Sequence, residues 1–324
     1  MDLNCINKGK KKLDKVGIVN SFQEARIIYD YVLKVIDINY KTRRNDEIRR
    51  NDKNAEKIKR YEKKVSEVQD KFFDLIRLRE NKIPLAYLIG EWSFYNIDLH
   101  IVKNVLIPRQ DTEQLINEVL KDYRLSSSDD VNEVYEISKV NDEYSKVKDV
   151  YNILDIGVGS GAILIQLLLL YKNSKGMGID ISLDAIRNTY INLCKFDLNL
   201  KVNLKYMDFF KLDEQELKKY DIIVSNPPYI KKEEKKYMNI ETDYEPKQAL
   251  YSDNLHIYKG ICDKLKKVYI NNLKIHKKNI SLEHYVDNTV CKVECNRKKR
   301  LYLEVSPFNL SLIHISEPTR QLQI

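Results

Sequence analysis

An apolar segment that ends in a glycine-rich turn constrains the fold of this chain more than any other feature. Residues 153–156 are mainly apolar, the turn carries Gly157, Gly159 and Gly161, and a second apolar run follows at residues 163–170. This pattern predicts a buried strand, a tight turn and a buried helix. Alternate glycines let the backbone approach a ligand closely, and the helix N-terminus adds unpaired N–H groups. We therefore expect an α/β fold with a site for a nucleotide-like cofactor at the turn.

A second apolar strand is predicted over residues 176–179, and it ends at Asp180. An acidic residue about 20 positions after such a turn conventionally binds ribose hydroxyls. We therefore expect the Asp180 carboxylate at the ribose of the cofactor. The same spacing fits a dinucleotide-binding fingerprint if Ala162 replaces its third glycine, so the turn alone leaves hydride transfer open.

Residues 226–229, Asn-Pro-Pro-Tyr, follow the apolar run 221–225. Proline has no N–H to donate and biases the residue before it toward extended geometry, so a buried strand is expected to end at Asn226. Open α/β sheets bind ligands at this end of their strands. The Asn226 side-chain oxygen and a carbonyl of the proline segment can each accept one hydrogen of a planar NH2 group, against which Tyr229 can pack. The alternative is an ordinary turn, in which Asn-Pro is common.

A corner that orients an NH2 group has no use in hydride transfer. It suits the methylation of a weakly nucleophilic planar nitrogen, because it directs the nitrogen lone pair at the incoming methyl group. Such positioning accelerates the reaction without deprotonating the nitrogen. The glycine turn and the corner together therefore indicate a methyltransferase.

The chain resembles the release factor glutamine methyltransferases, because several segments occur in the order found in that family. These segments are residues 84–90, 106–113, 157–161, Asp180, 226–230 and 244–250, within about residues 70–260, with a return at 301–305. Residues 106–113, Leu-Ile-Pro-Arg-Gln-Asp-Thr-Glu, favour this branch over the related ribosomal-protein glutamine methyltransferases. The resemblance implies an enzyme that uses S-adenosylmethionine to methylate the side-chain amide of the glutamine in the Gly-Gly-Gln loop of class I peptide chain release factors.

The resemblance also implies roles for individual residues. The donor site is expected to comprise Asp155, Gly157, Gly159, Gly161, Asp180, Asp208, Phe209 and Asn226. The substrate site is expected to comprise Asn226, Pro227, Pro228 and Tyr229. Of these, Asn226, Pro227 and Tyr229 are expected to act in catalysis. Asp208 and Phe209 are expected to flank the adenine of the donor.

The chain departs from the family pattern in three places. Residues 82–83 replace Gly-Glu, Gln110 replaces a proline, and residues 251–254 replace a glycine-rich stretch. These changes concern loop geometry and partner docking more than the methyl-transfer centre. Arg109 and Glu113 can anchor their segment by ion pairs as readily as they can touch substrate, and neither is expected to be catalytic.

An all-α N-terminal domain is predicted over residues 1–83. Ser21 with Glu24 forms a capping-box pattern, and the apolar residues that follow recur at helical spacing. The resemblance implies that this domain binds the release factor, and the alternative is a cap that only packs on the catalytic domain. Residues 84–115 are expected to bridge the domains with a β-hairpin, because polar and apolar residues alternate along 92–102.

The methyltransferase domain, a Rossmann-like class I sheet, is expected over residues 116–309. Two polar segments, 126–148 and 274–299, are expected to be inserted solvated loops, because neither can bury a core face. Residues 310–324 resemble a translated sequencing adapter, so the last strands of the family are expected to be missing. The strand over 301–305 would then expose an apolar edge and make the chain poorly soluble.

Composition adds weaker constraints. The net charge of +8 suits a ribosome- or RNA-associated partner, although AT-rich coding, which favours lysine, explains it as well. Five cysteines without regular pairing indicate a reducing compartment, cytoplasmic or organellar. Cys291, Cys295 and His284 are irregularly spaced and lack a fourth ligand, so no metal is expected. No segment is long and apolar enough to predict a membrane span.

The expected partner is a class I release factor, bound by a monomeric enzyme that forms no stable nucleic acid complex. Two alternatives stay open. An adenine N6 methyltransferase would use the same corner for the NH2 group of a flipped base in DNA or RNA, but it should carry a basic groove and a target-recognition domain. The other alternative is a cofactor-binding protein that is inactive through truncation.

Overall fold

The computed structural model describes residues 2–44, 55–123, 150–252, 256–270, 290–296 and 299–304. The chain divides into two compact units, Met1–Gly90 and Glu91–Ile324. This division falls inside the predicted bridging segment 84–115, so the hairpin belongs to the second unit. The segments 126–148 and 310–324, predicted as a loop and an adapter-derived tail, lie outside the described residues.

Helices form the described part of the first unit. They are α1 (Leu3–Lys15), α2 (Ser21–Arg44), α3 (Ala55–Glu80) and α4 (Leu85–Ile89). Ile28, Val32 and Ile36 recur at every fourth position of α2 and are buried, so this helix presents one apolar face to the core. Gly9 lets α1 approach α3 closely, because a Cβ at this position would lie only 2.5 Å from Cζ of Phe72.

The capping box predicted at Ser21 and Glu24 is wrong. The Ser21 hydroxyl donates to Oδ1 of Asp14 at 2.5 Å. The Glu24 carboxylate accepts from Nε and Nη2 of Arg79 at 2.5 and 3.1 Å. The side chain of Arg79 is only 4% exposed, and a buried guanidinium without a partner would be strongly destabilising. This long-range ion pair therefore takes the carboxylate that the local cap would need.

The described part of the second unit contains a hairpin and a six-stranded sheet flanked by helices. The hairpin strands, β1 (Glu91–Phe94) and β2 (Ile97–His100), pair antiparallel as predicted. The sheet strands are β3 (Asn152–Ile156), β4 (Lys175–Asp180), β5 (Val202–Tyr206), β6 (Ile222–Ser225), β7 (Val290–Asn296) and β8 (Lys299–Glu304). The helices are α5 (Glu113–Asp122), α6 (Ala162–Leu170), α7 (Leu183–Lys195), α8 (Glu214–Leu217), α9 (Lys247–Leu250) and α10 (His256–Ile270).

The strand order of the sheet is β5-β4-β3-β6-β8-β7, and all strands except β7 run in the same direction. The chain winds from β3 outward through β4 and β5, and then returns to place β6 on the other side of β3. The order therefore reverses between β3 and β6, where open sheets bind their ligands. The predicted Rossmann-like α/β sheet is confirmed.

One row of apolar side chains crosses the sheet and forms its core. Met177, Leu154, Ile223 and Leu301 occupy paired positions on β4, β3, β6 and β8. Each of them is at most 3% exposed. They belong to one hydrophobic cluster with Ile261 of α10, so this helix covers one face of the sheet behind the strand ends.

Strand β7 corrects two expectations. The segment 274–299 is predicted to be a solvated loop, but its part Val290–Asn296 pairs antiparallel with β8. The backbone groups along the free side of β8 need hydrogen-bond partners, and a neighbouring strand supplies them whatever its side-chain composition. The exposed edge predicted at 301–305 is therefore wrong over 301–304, and residue 305 lies outside the described residues. Strand β8 therefore has no unpaired edge that would lower solubility.

Candidate active site

The turn after β3 brings backbone N–H groups to the carboxyl edge of the sheet. Gly157 and Gly159 have φ angles of 75° and 57°, in the left-handed region that glycine adopts readily. The N–H groups of Gly157 and Val158 donate to the Ile179 carbonyl at 2.8 and 3.0 Å, which ties the turn to β4. A Cβ on Gly157 would meet no atom within 4 Å. The turn therefore borders open space.

Gly161 has a different task from the first two glycines. A Cβ at this position would lie 2.9 Å from Cδ1 of Ile165 and 3.0 Å from Cγ2 of Thr189. Gly161 thus allows the turn to pack closely against α6 and α7. Its role in the structure is to place the start of α6 rather than to face a ligand.

Asp180 ends β4 and is held by two backbone amides. Its Oδ2 accepts from the N–H of Gly159 at 2.9 Å, and its Oδ1 accepts from the N–H of Ser182 at 2.8 Å. Burial raises the pKa of Asp180, and these amides act against the rise by stabilising the carboxylate. Each oxygen can accept a further hydrogen bond. The carboxylate is therefore fixed in place and still able to bind a ligand hydroxyl.

Asp155 lies beneath the turn and is fully enclosed. Neither carboxylate oxygen has a hydrogen-bond partner among the described residues. Burial, with a smaller contribution from the charge of Asp180, raises the pKa of Asp155 to about 8. The nearby amide of Leu164 opposes the rise, although it does not meet hydrogen-bond geometry. Burial therefore favours the protonated form of Asp155.

The turn after β5 carries Asp208 and Phe209. Oδ1 of Asp208 accepts from the N–H of Phe210 at 2.9 Å and so caps the short helical turn. Nζ of Lys264 on α10 donates to the carbonyls of Phe210 and Leu212 at 2.6 and 2.7 Å. It also lies 5.3 Å from the centroid of the Phe209 ring. One lysine therefore holds the turn against α10.

The corner after β6 begins at Asn226. Nδ2 of Asn226 donates to the hydroxyl of Thr112 at 3.0 Å. Among the described residues, none donates to its Oδ1. The next carbonyl, that of Pro227, accepts from the hydroxyl of Tyr258 at 3.2 Å. Tyr229 is half-buried and packs against the main core of the unit.

A cavity at the carboxyl ends of β3, β4 and β6 connects these groups. Including its open mouth and the solvent space there, it has a volume of about 960 Å³. The predicted site residues that line it are Gly157, Gly159, Asp180, Asp208, Phe209, Asn226, Pro227 and Pro228. Asp155, Gly161 and Tyr229 do not line it. Most of the predicted donor residues and the corner thus face one space.

Much of the cavity wall is not predicted from the sequence. Residues 104–106, which follow the hairpin, and apolar side chains such as Ile181, Phe210 and Ile257 line it as well. These residues belong to no pattern of polar or glycine residues, so composition gave no signal for them. Of the sequence patterns described above, the segments 106–113 and 244–250, which carry the family resemblance, contribute residues to this part of the wall.

Arg109 and Glu113 serve as anchors. Nη2 of Arg109 bonds to Oε1 of the buried Glu245, whose Oε2 accepts from the N–H of Ile107 at 3.1 Å. Oε1 of Glu113 accepts from the N–H of Tyr95 at 2.8 Å. Neither Arg109 nor Glu113 lines the cavity. The contacts support the anchoring role over contact with substrate.

Within the described ranges, no helix is long and apolar enough to cross a membrane. The same ranges hold no group of three or more His, Cys, Asp or Glu side chains arranged to bind a metal ion.

The chain is similar in sequence to known methyltransferases. A family profile described as a methyltransferase domain matches residues 147–301. The "Release factor glutamine methyltransferase" of Clostridium acetobutylicum is 33% identical over 249 residues, which are 76% of this chain and 74% of that protein. The protein of the same description from Fusobacterium nucleatum is 36% identical over 266 residues, 80% of this chain and 63% of that protein.

Longer relatives also match. The "Bifunctional methyltransferase" of Rickettsia felis is 35% identical over 286 residues, which cover 83% of this chain but 49% of that protein. The chain thus spans about half the length of the Rickettsia relatives that it matches.

Proposed function

The chain belongs to the release factor glutamine methyltransferase family, and we propose that it transfers a methyl group from S-adenosylmethionine to a glutamine side-chain amide of a peptide chain release factor. The substrate we propose is the glutamine in the Gly-Gly-Gln loop of a class I release factor. One observation carries the proposal: the turn at Gly157 and the corner at Asn226 and Pro227 line the same cavity. A methyl donor and a planar amide can therefore meet there.

The residues around the glycine turn fit the donor. The open space beside Gly157 admits a close approach of the ligand, and Asp180 keeps lone pairs for ribose hydroxyls. Asp208 and Phe209 provide an acceptor and an apolar ring for the adenine. Bound there, S-adenosylmethionine supplies an electrophilic methyl group on a positively charged sulfur.

The corner fits the substrate amide. Oδ1 of Asn226 and the carbonyl of Pro227 are both acceptors, and a carbonyl that already binds Tyr258 keeps a second lone pair. Each acceptor can take one N–H of a glutamine amide. The corner then holds the amide plane still and leaves the nitrogen lone pair to point at the methyl group.

The reaction needs no strong base at this corner. Among the described residues, the ionisable side chains that line the cavity are Asp180 and Asp208, and both belong to the proposed donor site. With a donor bound, the corner would hold the amide so that its nitrogen could take the methyl group from the sulfur, and the excess proton would then leave to water. Alignment and the exclusion of water by the apolar wall supply most of the rate enhancement.

The helical unit Met1–Gly90 is proposed to recognise the release factor. It has its own hydrophobic core, built from residues such as Ile28, Phe72 and Ile76, and none of its described residues lines the cavity. A unit with a separate core and no part in the cavity is free to contribute a binding surface.

The test is methyl transfer from labelled donor to purified class I release factor by the 324-residue chain. A release factor in which the loop glutamine is replaced by alanine serves as the matched control, and double-stranded and single-stranded DNA are assayed in parallel. We expect label on the native release factor and none on the alanine variant or on DNA. Label on DNA in place of protein would favour the adenine methyltransferase alternative and overturn the proposal.

A further inference from the structure

Two buried hydroxyl groups lie directly behind the acceptors of the corner. We propose that Thr112 and Tyr258 are positioning residues that fix the orientation of the Asn226 amide and of the Pro227 carbonyl. The inference rests on the proposed function, because it assigns these acceptors to the substrate amide. Neither hydroxyl-bearing residue lines the cavity, so both act through the corner.

Thr112 sets the plane of the Asn226 side chain. The terminal torsion of an asparagine side chain is broad, so its amide plane turns at little cost unless a neighbour holds it. The Thr112 hydroxyl accepts from Nδ2 at 3.0 Å, which restrains this plane while Oδ1 stays free to accept. Without the Thr112 hydroxyl, the amide plane would swing over a wider range, and Oδ1 would point at the substrate N–H for less of the time.

Thr112 is itself held rigidly. It is 3% exposed, and its N–H donates to the Arg109 carbonyl at 3.1 Å. Arg109, which precedes Thr112 in the chain, bonds to the buried Glu245. Glu113, which follows Thr112, accepts a hydrogen bond from the backbone of the hairpin. These two anchors therefore place the Thr112 hydroxyl at a fixed point relative to Asn226, although the two residues lie 114 positions apart in the sequence.

Tyr258 holds the second acceptor. It lies on α10, is 3% exposed, and belongs to the core cluster that contains Ile261 and Leu265. Its hydroxyl donates to the Pro227 carbonyl at 3.2 Å. This bond uses one lone pair of the carbonyl oxygen and restrains the peptide plane, while the other lone pair stays available to the substrate.

The positions of Thr112 and Tyr258 predict a specific kinetic signature. Because neither residue lines the cavity, removal of its hydroxyl takes away no contact with the methyl donor. The amide of the substrate would still reach the corner, but the acceptors would spend less time in the productive orientation. We therefore expect kcat to fall while donor affinity stays unchanged.

The first test compares Thr112→Val with Thr112→Ser, and adds Tyr258→Phe. Thr112→Val keeps the shape of the side chain and removes the hydroxyl, whereas Thr112→Ser keeps the hydroxyl. We expect a fall in kcat of about tenfold or more for Thr112→Val and Tyr258→Phe, since each leaves a polar group of the corner without its partner. Thr112→Ser should restore most of the rate, and the donor Kd should be that of the wild type throughout.

Two matched controls measure the loss of a buried hydroxyl elsewhere in the same unit. Ser174→Ala removes the acceptor of the Tyr151 N–H, and Tyr220→Phe removes a tyrosine hydroxyl bonded to Met177 and Glu216. Neither residue lines the cavity. A release factor that is methylated equally well by the wild type, Thr112→Val and the two controls would overturn the inference and leave the proposed function standing.

A second readout needs no substrate. The side-chain NH2 signal of Asn226 in a nitrogen-15 NMR spectrum is assigned by its loss in Asn226→Asp. Thr112→Val should shift or broaden this signal, and Thr112→Ser should return it to its wild-type position. An unchanged signal in Thr112→Val would overturn the inference even if the wild type failed to methylate any release factor, a result that would separately overturn the proposed function.

Discussion

The backbone N–H of Gly159 donates a 2.9 Å hydrogen bond to Oδ2 of Asp180, and this bond joins the glycine turn to the end of β4. The other oxygen of Asp180 binds the N–H of Ser182 at the start of α7. One carboxylate thus holds together the two loops that border the proposed donor site. Its removal should affect both the ligand contact and the turn.

Asp180→Ala should weaken the binding of S-adenosylmethionine by about tenfold or more, because a hydrogen bond to a charged group contributes about 1.5 to 3 kcal/mol. Isothermal titration calorimetry measures the Kd. Asp98→Ala, which removes an exposed carboxylate of β2, is the control and should bind as the wild type does. A Kd that Asp180→Ala leaves unchanged would place the donor elsewhere.

Asn226→Ala should abolish methyl transfer and leave donor binding nearly intact, because its contacts form chiefly with the oriented amide. Loss of a polar contact that is directed at the reacting group is expected to lower kcat by about tenfold at least. A turnover assay beside a donor titration measures both quantities. Retention of more than about a tenth of the wild-type rate would show that Asn226 is not catalytic.

Asp155 should make stability depend on pH. Its pKa is raised to about 8 in the folded protein, so between the unfolded and folded pKa values the native state binds more protons, and stability falls as pH rises. Asp155→Asn removes this titration. The melting temperature of Asp155→Asn relative to wild type should therefore increase between about pH 5 and about pH 8.

Other carboxylates titrate in both proteins, so only the difference between wild type and variant bears on Asp155. Melts of the donor-free proteins by differential scanning fluorimetry measure it. A difference in melting temperature that is constant across this range would mean that Asp155 is ionised in the folded protein at every pH tested.

Lys264→Met should weaken donor binding severalfold, because Lys264 holds the turn of Asp208 and Phe209 against α10 through two carbonyls. Lys267→Met is the matched control on the same helix, since Lys267 is exposed and pairs with Glu214. Titration of both variants with donor tests the prediction. Equal Kd values for the two variants would assign Lys264 to helix packing alone.

The parts of the site that could be predicted from the sequence are local. The strand, turn and helix around Gly157 follow from an apolar period and alternate glycines within one short segment, and Asn226 follows from the prolines next to it. Backbone sterics and hydrogen bonding within these short segments favour the observed conformations, so the local sequence is enough to predict them.

The parts that could not be predicted depend on long-range contacts. Arg79 pairs with Glu24, which lies 55 positions away in the sequence. Thr112 is hydrogen-bonded to Asn226, which lies 114 positions away. No local pattern encodes such pairs. Strand β7 is a different case, because its partner β8 begins only three positions after β7 ends. The charged composition of 274–299 indicates a solvated loop, whereas the backbone groups of β8 can pair with a neighbouring strand of any composition.

Peptide mapping of the methylated release factor tests the central claim most directly. After reaction with S-adenosylmethionine, the release factor is digested and its peptides are sequenced by tandem mass spectrometry, with the Asn226→Ala enzyme as the blank. We predict one added methyl group on the side-chain amide of the glutamine in the Gly-Gly-Gln loop, absent from the blank. Methylation at a different residue, or an unmodified loop glutamine after prolonged reaction, would contradict the account.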